Sequence, residues 1–371
     1  MKVAHLTSAH PRHDVRIFMK ECRSLAVAGH DVTLVVADDD GDEHRDGVFI
    51  TGVGRPRGRL QRMVHATRRV LRRALALRAD VYHLHDPELL AVAPILKATG
   101  ATVVFDSHED VGLQIRAKHY LPTIARGAIA SGYGLVERAL CLAVDVVVAA
   151  TPTIRDKFRA LGLTAIDVNN FPRMEELPAP TDDRDREDAV CYVGGITTIR
   201  GIVEVVDAMG LVRHPGTRLL LAGRYQEPGL QERVRSRPGF GRVDDLGFLD
   251  RAGVRDVLQR SRVGLVTLHP AENYLESLPV KMFEYMSAGL PVVASDFPLW
   301  REIIERSACG VCVSPLDPTA IAVAIDDLLD DPTRARQLGE SGRRAVEAHY
   351  NWDREAERLV GLYAGFTPRR R

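Results

Sequence analysis

The sequence predicts an α/β protein with two Rossmann-like domains, and three observations support this fold class. Short apolar segments alternate with helical segments through the first half of the chain, and a second alternating series starts at Ala189. A segment rich in proline and charge, residues 171–188, separates the two series. The length of 371 residues also exceeds the usual size of one domain. We therefore expect domains at 1–172 and 189–348, followed by C-terminal residues 349–371.

The first series begins like a doubly wound parallel sheet. Residues 3–6 predict a strand, 15–28 a helix that ends before Gly29, and 31–37 a second strand. Further strands are predicted at residues 81–84, 102–105 and 145–149. Ligands bind beyond the carboxyl ends of the strands in such sheets, so the residues that follow each strand are the candidates for function. These are residues 7–14, 85–88, 106–109 and 151–152.

The second series leads to one segment, residues 269–303, that combines a loop, a helix and a buried strand. Before it, strands are predicted at 189–193, 218–222 and 262–268, and a helix at 202–209. Pro279 suits the first turn of a helix, and Gly289 followed by Pro291 predicts its end. Residues 292–294 then read as a short buried strand.

Two carboxylates lie at the start of this predicted helix. Glu276 is expected in the preceding loop, and Glu284, eight residues later, about one turn inside the helix. A helix N-terminus offers free N–H groups and a positive dipole end, which favour a phosphate or diphosphate. Carboxylates beside a diphosphate are reasonable if they accept hydrogen bonds from hydroxyl groups, such as those of a ribose and a sugar. The alternative is two solvated glutamates on a surface helix.

The segment ESLPVKMFEYMSAGLPVVAS, residues 276–295, resembles the E-x7-E signature of retaining glycosyltransferases with the GT-B fold (family 4, glycosyl transferases group 1). The resemblance covers nearly the full chain. It implies two Rossmann-like domains that face a cleft, with a last helix, here within 352–363, that crosses back onto the first domain. It also implies that Glu276 contacts the donor sugar, that Glu284 binds the ribose of the nucleotide, and that His108, in VVFDSHED, donates a hydrogen bond to the sugar.

The phosphate contacts depart from the family pattern. The turn that starts at Gly194 and Gly195 can present N–H groups to phosphate, but the family usually has G-R-x-x-x-x-K-G here. This chain keeps a basic residue, Arg200, only at the second position. Lys281, inside the motif helix, is the candidate replacement, and an exposed surface lysine is the alternative. Further donor contacts are expected from the N–H groups of the helix start and from a loop that resembles the one holding the nucleotide base. These residues are Ser277, Leu278 and Val280 for the helix start, and Leu246 and Phe248 for the loop, for which an ordinary turn is the alternative.

The N-terminal segment 10–21 also departs from family members that carry a glycine pair there. Asp14, Arg16 and Lys20 are therefore candidates for shaping the acceptor site, although Lys20 on a solvated helix surface is an alternative. The D-x-D pattern in 38–40 binds a metal in another glycosyltransferase fold. No supporting residues surround it, which favours a solvated acidic loop.

Composition excludes several function classes. Fifty basic and fifty acidic residues balance, so the net charge gives no reason to expect a nucleic-acid partner. No apolar run reaches the ~18 residues needed to span a membrane, and the N-terminus does not read as a signal peptide. We expect a cytoplasmic protein. Residues 55–78 contain nine arginines and no acid, which predicts peripheral docking on the anionic inner face of the membrane. The alternative is a helix that packs its stripe of Leu60, Val64, Leu71 and Leu75 on the sheet and leaves its basic face in solvent.

These features predict a retaining, metal-independent glycosyltransferase without a cofactor. It would move a sugar from a nucleoside diphosphate sugar, with UDP as the expected nucleotide, to a hydroxyl of a glycolipid, a glycan or a small molecule. Surface polysaccharide or glycolipid assembly is the first expectation, and glycosylation of a natural product the second. A nucleotide-sugar epimerase on the same fold and a non-catalytic sugar-nucleotide-binding subunit remain alternatives. A Rossmann dehydrogenase is disfavoured because no G-x-G-x-x-G follows the first strand.

Overall fold

A computed structural model describes residues 1–116, 122–176 and 186–368. The chain forms two compact units. Unit 1 contains Met1–Asn170 together with Asp353–Arg371, and unit 2 contains Phe171–Trp352. Each unit is a mainly parallel sheet covered by helices, which confirms the predicted pair of Rossmann-like domains.

The described residues of unit 1 form eight strands. They are β1 Lys2–Leu6, β2 Asp31–Val36, β3 Glu43–Arg45, β4 Val48–Gly52, β5 Val81–Leu84, β6 Thr102–Ser107, β7 Val146–Ala149 and β8 Ala165–Asp167. Their order in the sheet is β3-β4-β2-β1-β5-β6-β7-β8, and only β3 and β4 pair antiparallel. The sequence pattern predicted neither β3, β4 nor β8.

The helices of unit 1 include short 3₁₀ and π segments. The α-helices are α1 Arg23–Val27, α2 Arg59–Gln61, α3 Thr67–Leu77, α4 Ala93–Lys97, α5 Val111–Arg116, α6 Thr123–Cys141 and α7 Pro152–Ala160. The π-helical segments are Ile17–Cys22 and Arg62–Ala66, and the 3₁₀ segment is Pro87–Val92. The π segment Ile17–Cys22 continues into α1, so the helix predicted at 15–28 is confirmed.

Unit 2 contains a six-stranded parallel sheet. Its strands are β9 Ala189–Val193, β10 Arg218–Ala222, β11 Val243–Gly247, β12 Val263–Val266, β13 Val292–Ser295 and β14 Gly310–Val313, in the order β11-β10-β9-β12-β13-β14. Its helices are α8 Ile202–Leu211, α9 Leu230–Arg235, α10 Arg251–Arg260, α11 Glu272–Leu275, α12 Val280–Ser287, α13 Pro298–Ser307, α14 Pro318–Asp330 and α15 Pro332–Ala348. Short 3₁₀ segments occur at Met174–Glu176, Thr198–Arg200 and Pro238–Arg242.

The strand order places the candidate residues in both units. It reverses between β1 and β5 in unit 1, and between β9 and β12 in unit 2. In open parallel sheets, ligands bind beyond the carboxyl ends of the strands at such switch points. The predicted site residues that follow β1, β5, β9 and β12 therefore lie at the two positions where this fold binds ligands.

The motif helix forms as predicted. Pro279 is the N-cap of α12, and the helix ends before Gly289, whose φ of 71° places it in the left-handed region that glycine tolerates. Met282, Phe283 and Met286 are buried in the core of unit 2. This packing fixes α12 on the sheet, so its first turn is held at the carboxyl edge next to β12.

The described ends of the predicted linker are packed against unit 2. The Phe171 ring centroid lies 4.7 Å from that of Phe283 and 5.4 Å from that of Tyr350. Arg186 is buried and donates hydrogen bonds to the carbonyl oxygens of Ser261 and Ala288. Residues 177–185 lie outside the described residues.

The last helix, α16 Trp352–Ala364, returns to unit 1 as expected. The Glu355 carboxylate accepts a hydrogen bond of 2.8 Å from the Asn169 N–H. Further along the helix, the Tyr363 hydroxyl lies 2.8 Å from Nδ1 of His83, which is a buried residue of β5.

The arginine-rich segment is helical from Arg59 to Leu77. Ala66, Val70 and Ala74 form its buried face. Leu60 and Val64 are 77% and 45% exposed, so the alternative in which the predicted leucine stripe packs on the sheet is wrong for these two residues. Among the described residues, no helix is both long enough and apolar enough to cross a bilayer.

Candidate active site

The glycine turn after β9 is tightly packed. Gly194 has a φ of 123°, which favours glycine, and Gly195 accepts a hydrogen bond of 3.2 Å from the Tyr192 hydroxyl. A Cβ atom on Gly195 would lie only 2.7 Å from Nη1 of Arg200 and 2.7 Å from Nε2 of Gln226. The ends of the Arg200 and Gln226 side chains thus occupy the space that a side chain at position 195 would need, and they would have to move to admit the family's first basic residue. No sequence signal had indicated Gln226.

Lys281 is the second basic residue at this turn. Its side chain is half-buried, whereas its Nζ is buried and has no hydrogen-bond partner in the part of the chain that the structure describes. Nζ lies 3.7 Å from the ring centroid of Tyr192 and 3.8 Å from the position of a Cβ on Gly194. Burial first, and the charge of Arg200 second, lower the pKa of Lys281 to about 7. The exposed surface lysine considered as an alternative is therefore wrong.

The start of α12 supplies fewer N–H groups than expected. The Ser277 N–H already donates to the carbonyl of Tyr274 at 3.1 Å, and the Ser277 carbonyl accepts a hydrogen bond from Trp300 Nε1 at 2.8 Å. The expected Ser277 contact is therefore not available in this conformation. Leu278 and Val280 flank Pro279 at the helix start, where the first N–H groups have no partner within the helix. They remain the candidate anion donors.

The two motif carboxylates have different surroundings. Glu276 is exposed and directly follows the short helix α11. Glu284 lies on α12, is half-buried, and accepts a hydrogen bond of 2.8 Å from Nη1 of Arg251 on α10. Arg251 was not among the site residues predicted from the sequence. A ribose that binds Glu284 must share this carboxylate with the guanidinium or displace it.

The expected base-binding loop is shorter than predicted. Leu246 belongs to strand β11, in which Asp244 and Asp245 pair with β10, and its half-buried side chain packs on the core of unit 2. The two aspartates obscured this strand in the sequence. Phe248 follows the strand and is 65% exposed, with the Arg224 guanidinium 4.1 Å from its ring centroid. An exposed aromatic ring of this kind can stack on a base.

In unit 1, His108 follows β6 and belongs to a polar cluster. Its Nε2 lies 2.9 Å from Oδ2 of Asp106 and 3.3 Å from Nδ1 of His85. The ring of His10 lies 4.9 Å away, between centroids. The side chain of His108 is 17% exposed, whereas Asp106 and His85 are fully buried.

Arg16 anchors this cluster from the first helix. Its guanidinium makes two hydrogen bonds to Asp106, of 2.9 and 2.7 Å, and a third to the carbonyl of Val168. Lys20, one turn later, is buried and donates to Oδ1 of Asn170 at 2.5 Å. A solvated Lys20 is therefore wrong, because this helix turns its basic residues into unit 1.

The acidic run at 38–40 is held by an ion pair. Arg12 contacts both carboxylate oxygens of Asp38, at 3.0 and 2.9 Å. Ligand-type side chains gather in two other groups among the described residues, both in unit 1. They are His5, Glu21, His83 and His85, and His85, Asp106 and His108.

Comparison with known proteins links the chain to one class of enzyme. Residues 15–172 match the family model "Glycosyl transferase 4-like domain", and residues 174–345 match "Glycosyl transferases group 1". Glycogen synthase of Mycobacterium tuberculosis is 24% identical over 245 residues, which are 64% of this chain and 58% of that enzyme. The chain spans about half the length of several other curated relatives that it matches.

Solved structures share the fold over nearly the whole chain. Sucrose-phosphate synthase from Thermosynechococcus elongatus is similar with a TM-score of 0.79 and 20% identity, covering 98% of each chain. HepE from Anabaena, solved in complex with UDP, is similar with a TM-score of 0.75 and 14% identity, covering 98% of this chain and 100% of that one. These likenesses show the fold, and both family models fall on the two units that carry the candidate residues.

Proposed function

Because this chain belongs to the GT-B glycosyltransferases, we propose that it is a retaining, metal-independent transferase that moves a sugar from a UDP-sugar to an acceptor hydroxyl. The observation that carries the proposal is the meeting of Gly194, Arg200 and Lys281 beside the first turn of α12. An anion would stabilise the charged form of this buried amine, which has no hydrogen-bond partner among the described residues, and a diphosphate provides one. The UDP bound by the HepE protein agrees with this choice of nucleotide.

The assignment of roles follows from the chemistry of the donor. Arg200, Lys281 and the N–H groups of Leu278 and Val280 bind the diphosphate. Glu284 accepts hydrogen bonds from the ribose, and Glu276 from the sugar. Phe248 supports the base. These residues share one edge of unit 2, so a single nucleotide sugar can engage all of them.

In the proposed reaction, the bond between the anomeric carbon and the diphosphate oxygen breaks, and a bond to the acceptor oxygen forms on the same face of the sugar. The departing diphosphate takes up the proton of the acceptor hydroxyl. Charge develops on the diphosphate as it leaves, and fixed cations and N–H groups stabilise this charge. Single donors of this kind contribute about 2.7–4 kcal/mol in enzymes where they have been removed.

We propose that the acceptor is a membrane glycolipid or a surface polysaccharide precursor. Leu60, Met63 and Val64 are exposed on the arginine-rich helix. Leu135 and Val136, on α6, are 72% and 57% exposed. Both helices contact the segment Pro87–Val92, so they cover the same face of the sheet in unit 1. Exposed apolar groups beside arginines suit an anionic lipid surface.

Incubation with a panel of nucleotide sugars, with and without lipid and glycan acceptors, tests the proposal. Release of UDP that depends on the acceptor, with retention of the anomeric configuration by NMR, supports transfer. A changed sugar without an acceptor would indicate an epimerase, and binding without turnover a non-catalytic subunit. A small-molecule acceptor that is preferred over every lipid would replace membrane glycolipid assembly with natural-product glycosylation.

A further inference from the structure

The polar cluster around His108 fixes the position of each hydrogen in it. Asp106 is fully buried and forms two hydrogen bonds with Arg16. Burial alone would raise the pKa of Asp106, but the charge of Arg16 and the hydrogen bonds from histidines hold it well below its usual range. Asp106 is therefore a carboxylate, which can only accept hydrogen bonds.

Two histidine nitrogens contact the same carboxylate oxygen. Nε2 of His108 lies 2.9 Å from Oδ2 of Asp106, and Nδ1 of His85 lies 3.2 Å from it. The same oxygen also accepts a hydrogen bond of 2.9 Å from Nε of Arg16. Because this oxygen cannot donate, each histidine nitrogen that bonds to it carries a hydrogen. The two nitrogens are 3.3 Å apart, but two donors cannot bond to each other, so the oxygen is their common acceptor.

The same argument assigns the ring hydrogens of His85 and His5. Burial lowers the pKa of His85 to about 4, so His85 is neutral near pH 7 and its Nε2 is a bare lone pair. Nδ1 of His5 lies 2.8 Å from this nitrogen and must donate to it. Nε2 of His5 is then also a lone pair, and it has no hydrogen-bond partner among the described residues.

His83 and Glu21 form the inner end of the cluster, and this end requires one proton. Nε2 of His83 and both oxygens of Glu21 also lack hydrogen-bond partners in the described part of the chain, although Arg16 pairs with Glu21 at 3.1 Å. Two carboxylates and one guanidinium leave one negative charge in this buried region. One proton on Glu21 neutralises it. Burial and the neighbouring Asp106 raise the pKa of Glu21 well above its usual range, which favours this proton.

His108 is the partly exposed member of the cluster, and these hydrogen assignments determine which of its nitrogens can bind a ligand. With Nε2–H committed to Asp106, a neutral His108 has only the lone pair of Nδ1 free. We propose that Asp106 is a positioning residue that holds His108 in the Nε2–H tautomer, so that Nδ1 accepts a hydrogen bond from a substrate hydroxyl. This inference rests on the proposed function only for the identity of the substrate. It replaces the donor role expected for His108 with an acceptor role, which selects a sugar that carries a hydroxyl at this point.

The tautomer can be measured in the unmodified protein. Long-range ¹H–¹⁵N correlation spectra of histidine-labelled protein distinguish protonated from bare ring nitrogens, and His108→Gln assigns the His108 signals by their loss. We expect Nε2–H with bare Nδ1 for neutral His108, and Nδ1–H for His85 and His5. An Nδ1–H tautomer at His108 would overturn the proposal, and this result is independent of whether any sugar is transferred. A stoichiometric transition metal in the purified protein, bound by these residues, would overturn it as well.

The kcat values of Asp106 and His108 variants test the same proposal independently. Asp106→Asn is expected to lower kcat about 10- to 100-fold, while the Kd for UDP stays within twofold because the donor site lies in unit 2. His108→Ala should cause a similar loss, and the double variant should be no worse than His108→Ala alone. Losses that add in the double variant would show that Asp106 acts through the fold and not through His108. The matched control is Asp80→Asn, another buried aspartate of unit 1, which accepts a hydrogen bond from the Lys2 N–H.

Discussion

At the scale of single residues, the proposed donor site separates binding from chemistry. Arg200 and Lys281 lie beside the glycine turn. Glu276 directly follows α11, and Glu284, eight residues later, lies within α12. The ribose is distant from the reacting carbon, and the sugar is not. Substitutions at the two carboxylates should therefore affect different kinetic constants.

Glu284→Ala should weaken donor binding, and Glu276→Ala should mainly slow turnover. A contact made equally in the ground and transition states changes KM, whereas one that tightens as the sugar becomes oxocarbenium-like changes kcat. Lost hydrogen bonds to a carboxylate cost about 1.5–3 kcal/mol, or roughly ten- to a hundredfold. Steady-state kinetics and calorimetric binding of free UDP measure both effects.

Two observations check this division. UDP contains the ribose but no sugar, so equal losses of UDP affinity in both glutamate variants would contradict the assigned roles. Arg251→Ala is the control for Glu284, because Arg251 is its hydrogen-bond partner in the ligand-free protein. This variant should keep or improve UDP affinity, since it frees the carboxylate for the ribose.

Lys281 should make UDP binding depend on pH. Its pKa is lowered to about 7 in the free protein, and a bound diphosphate stabilises the charged form and raises this pKa. Below pH 7 the amine already carries its proton. Above pH 7 it must take one up on binding, so the affinity should fall by up to tenfold per pH unit as the pH rises.

Calorimetry in buffers of different ionisation enthalpy measures this proton uptake directly. We expect uptake that approaches one proton per UDP at pH 8. UDP itself titrates near this range, so Lys281→Met is the matched control and should remove the lysine contribution. Equal proton uptake in both proteins would show that Lys281 does not contact the diphosphate.

At the scale of elements, the arginine-rich helix has both a buried apolar face and exposed apolar side chains. Its small residues Ala66, Val70 and Ala74 are buried, while Leu60 and Met63 are exposed at 77% and 50%. Small buried residues bring the helix close to the sheet, and the longer apolar side chains are then left on the outside. This arrangement suits insertion into a lipid interface more than core packing.

Charge reversal should test the membrane role of this helix. The double variant Arg68→Glu and Arg72→Glu changes two exposed arginines of α3 and should reduce co-sedimentation with anionic liposomes at low salt at least tenfold. The matched control, Arg306→Glu with Arg334→Glu, makes the same change of charge at exposed positions of unit 2. If the unmodified protein does not sediment with liposomes, or both variants lose binding equally, this helix is not the docking surface.

At the scale of the whole molecule, the two candidate phosphate-binding cations and the groups of metal-ligand type lie in different units. Arg200 and Lys281, the cations of the proposed donor site, lie in unit 2. The groups of metal-ligand type found among the described residues lie in unit 1, and none includes a residue of the proposed donor site. The proposed function assigns neutralisation of the diphosphate to these two cations.

Chelation should therefore leave turnover intact. Activity after treatment with EDTA and removal of the chelator should remain within about 20% of the untreated enzyme, because the diphosphate contacts proposed here need no Mg²⁺ or Mn²⁺. Initial rates with a UDP-sugar and the best acceptor measure this. Activity that is lost with EDTA and restored by Mn²⁺ would contradict the prediction.

Local patterns were sufficient for much of the fold and for part of the site. The alternation of strands and helices, the start of α12 after Pro279 and its end before Gly289 are confirmed, because each depends on neighbouring residues only. Strand β11 was missed because Asp244 and Asp245 do not look like strand residues. They form a strand because β10 offers them hydrogen-bond partners.

The sequence alone determined the fold class and the positions of Glu276, Glu284, Arg200 and Lys281, because periodicity, helix signals and the spacing of a motif are properties of the chain itself. Only the tertiary structure decided which groups meet across long separations. Arg251 reaches Glu284, Gln226 and Arg200 fill the space beside Gly195, and Arg16 ties Asp106 to the first helix. The physical reason is that hydrogen-bond partners and desolvation depend on packing between distant segments, and these set the charge state of Lys281 and the tautomer that we infer for His108.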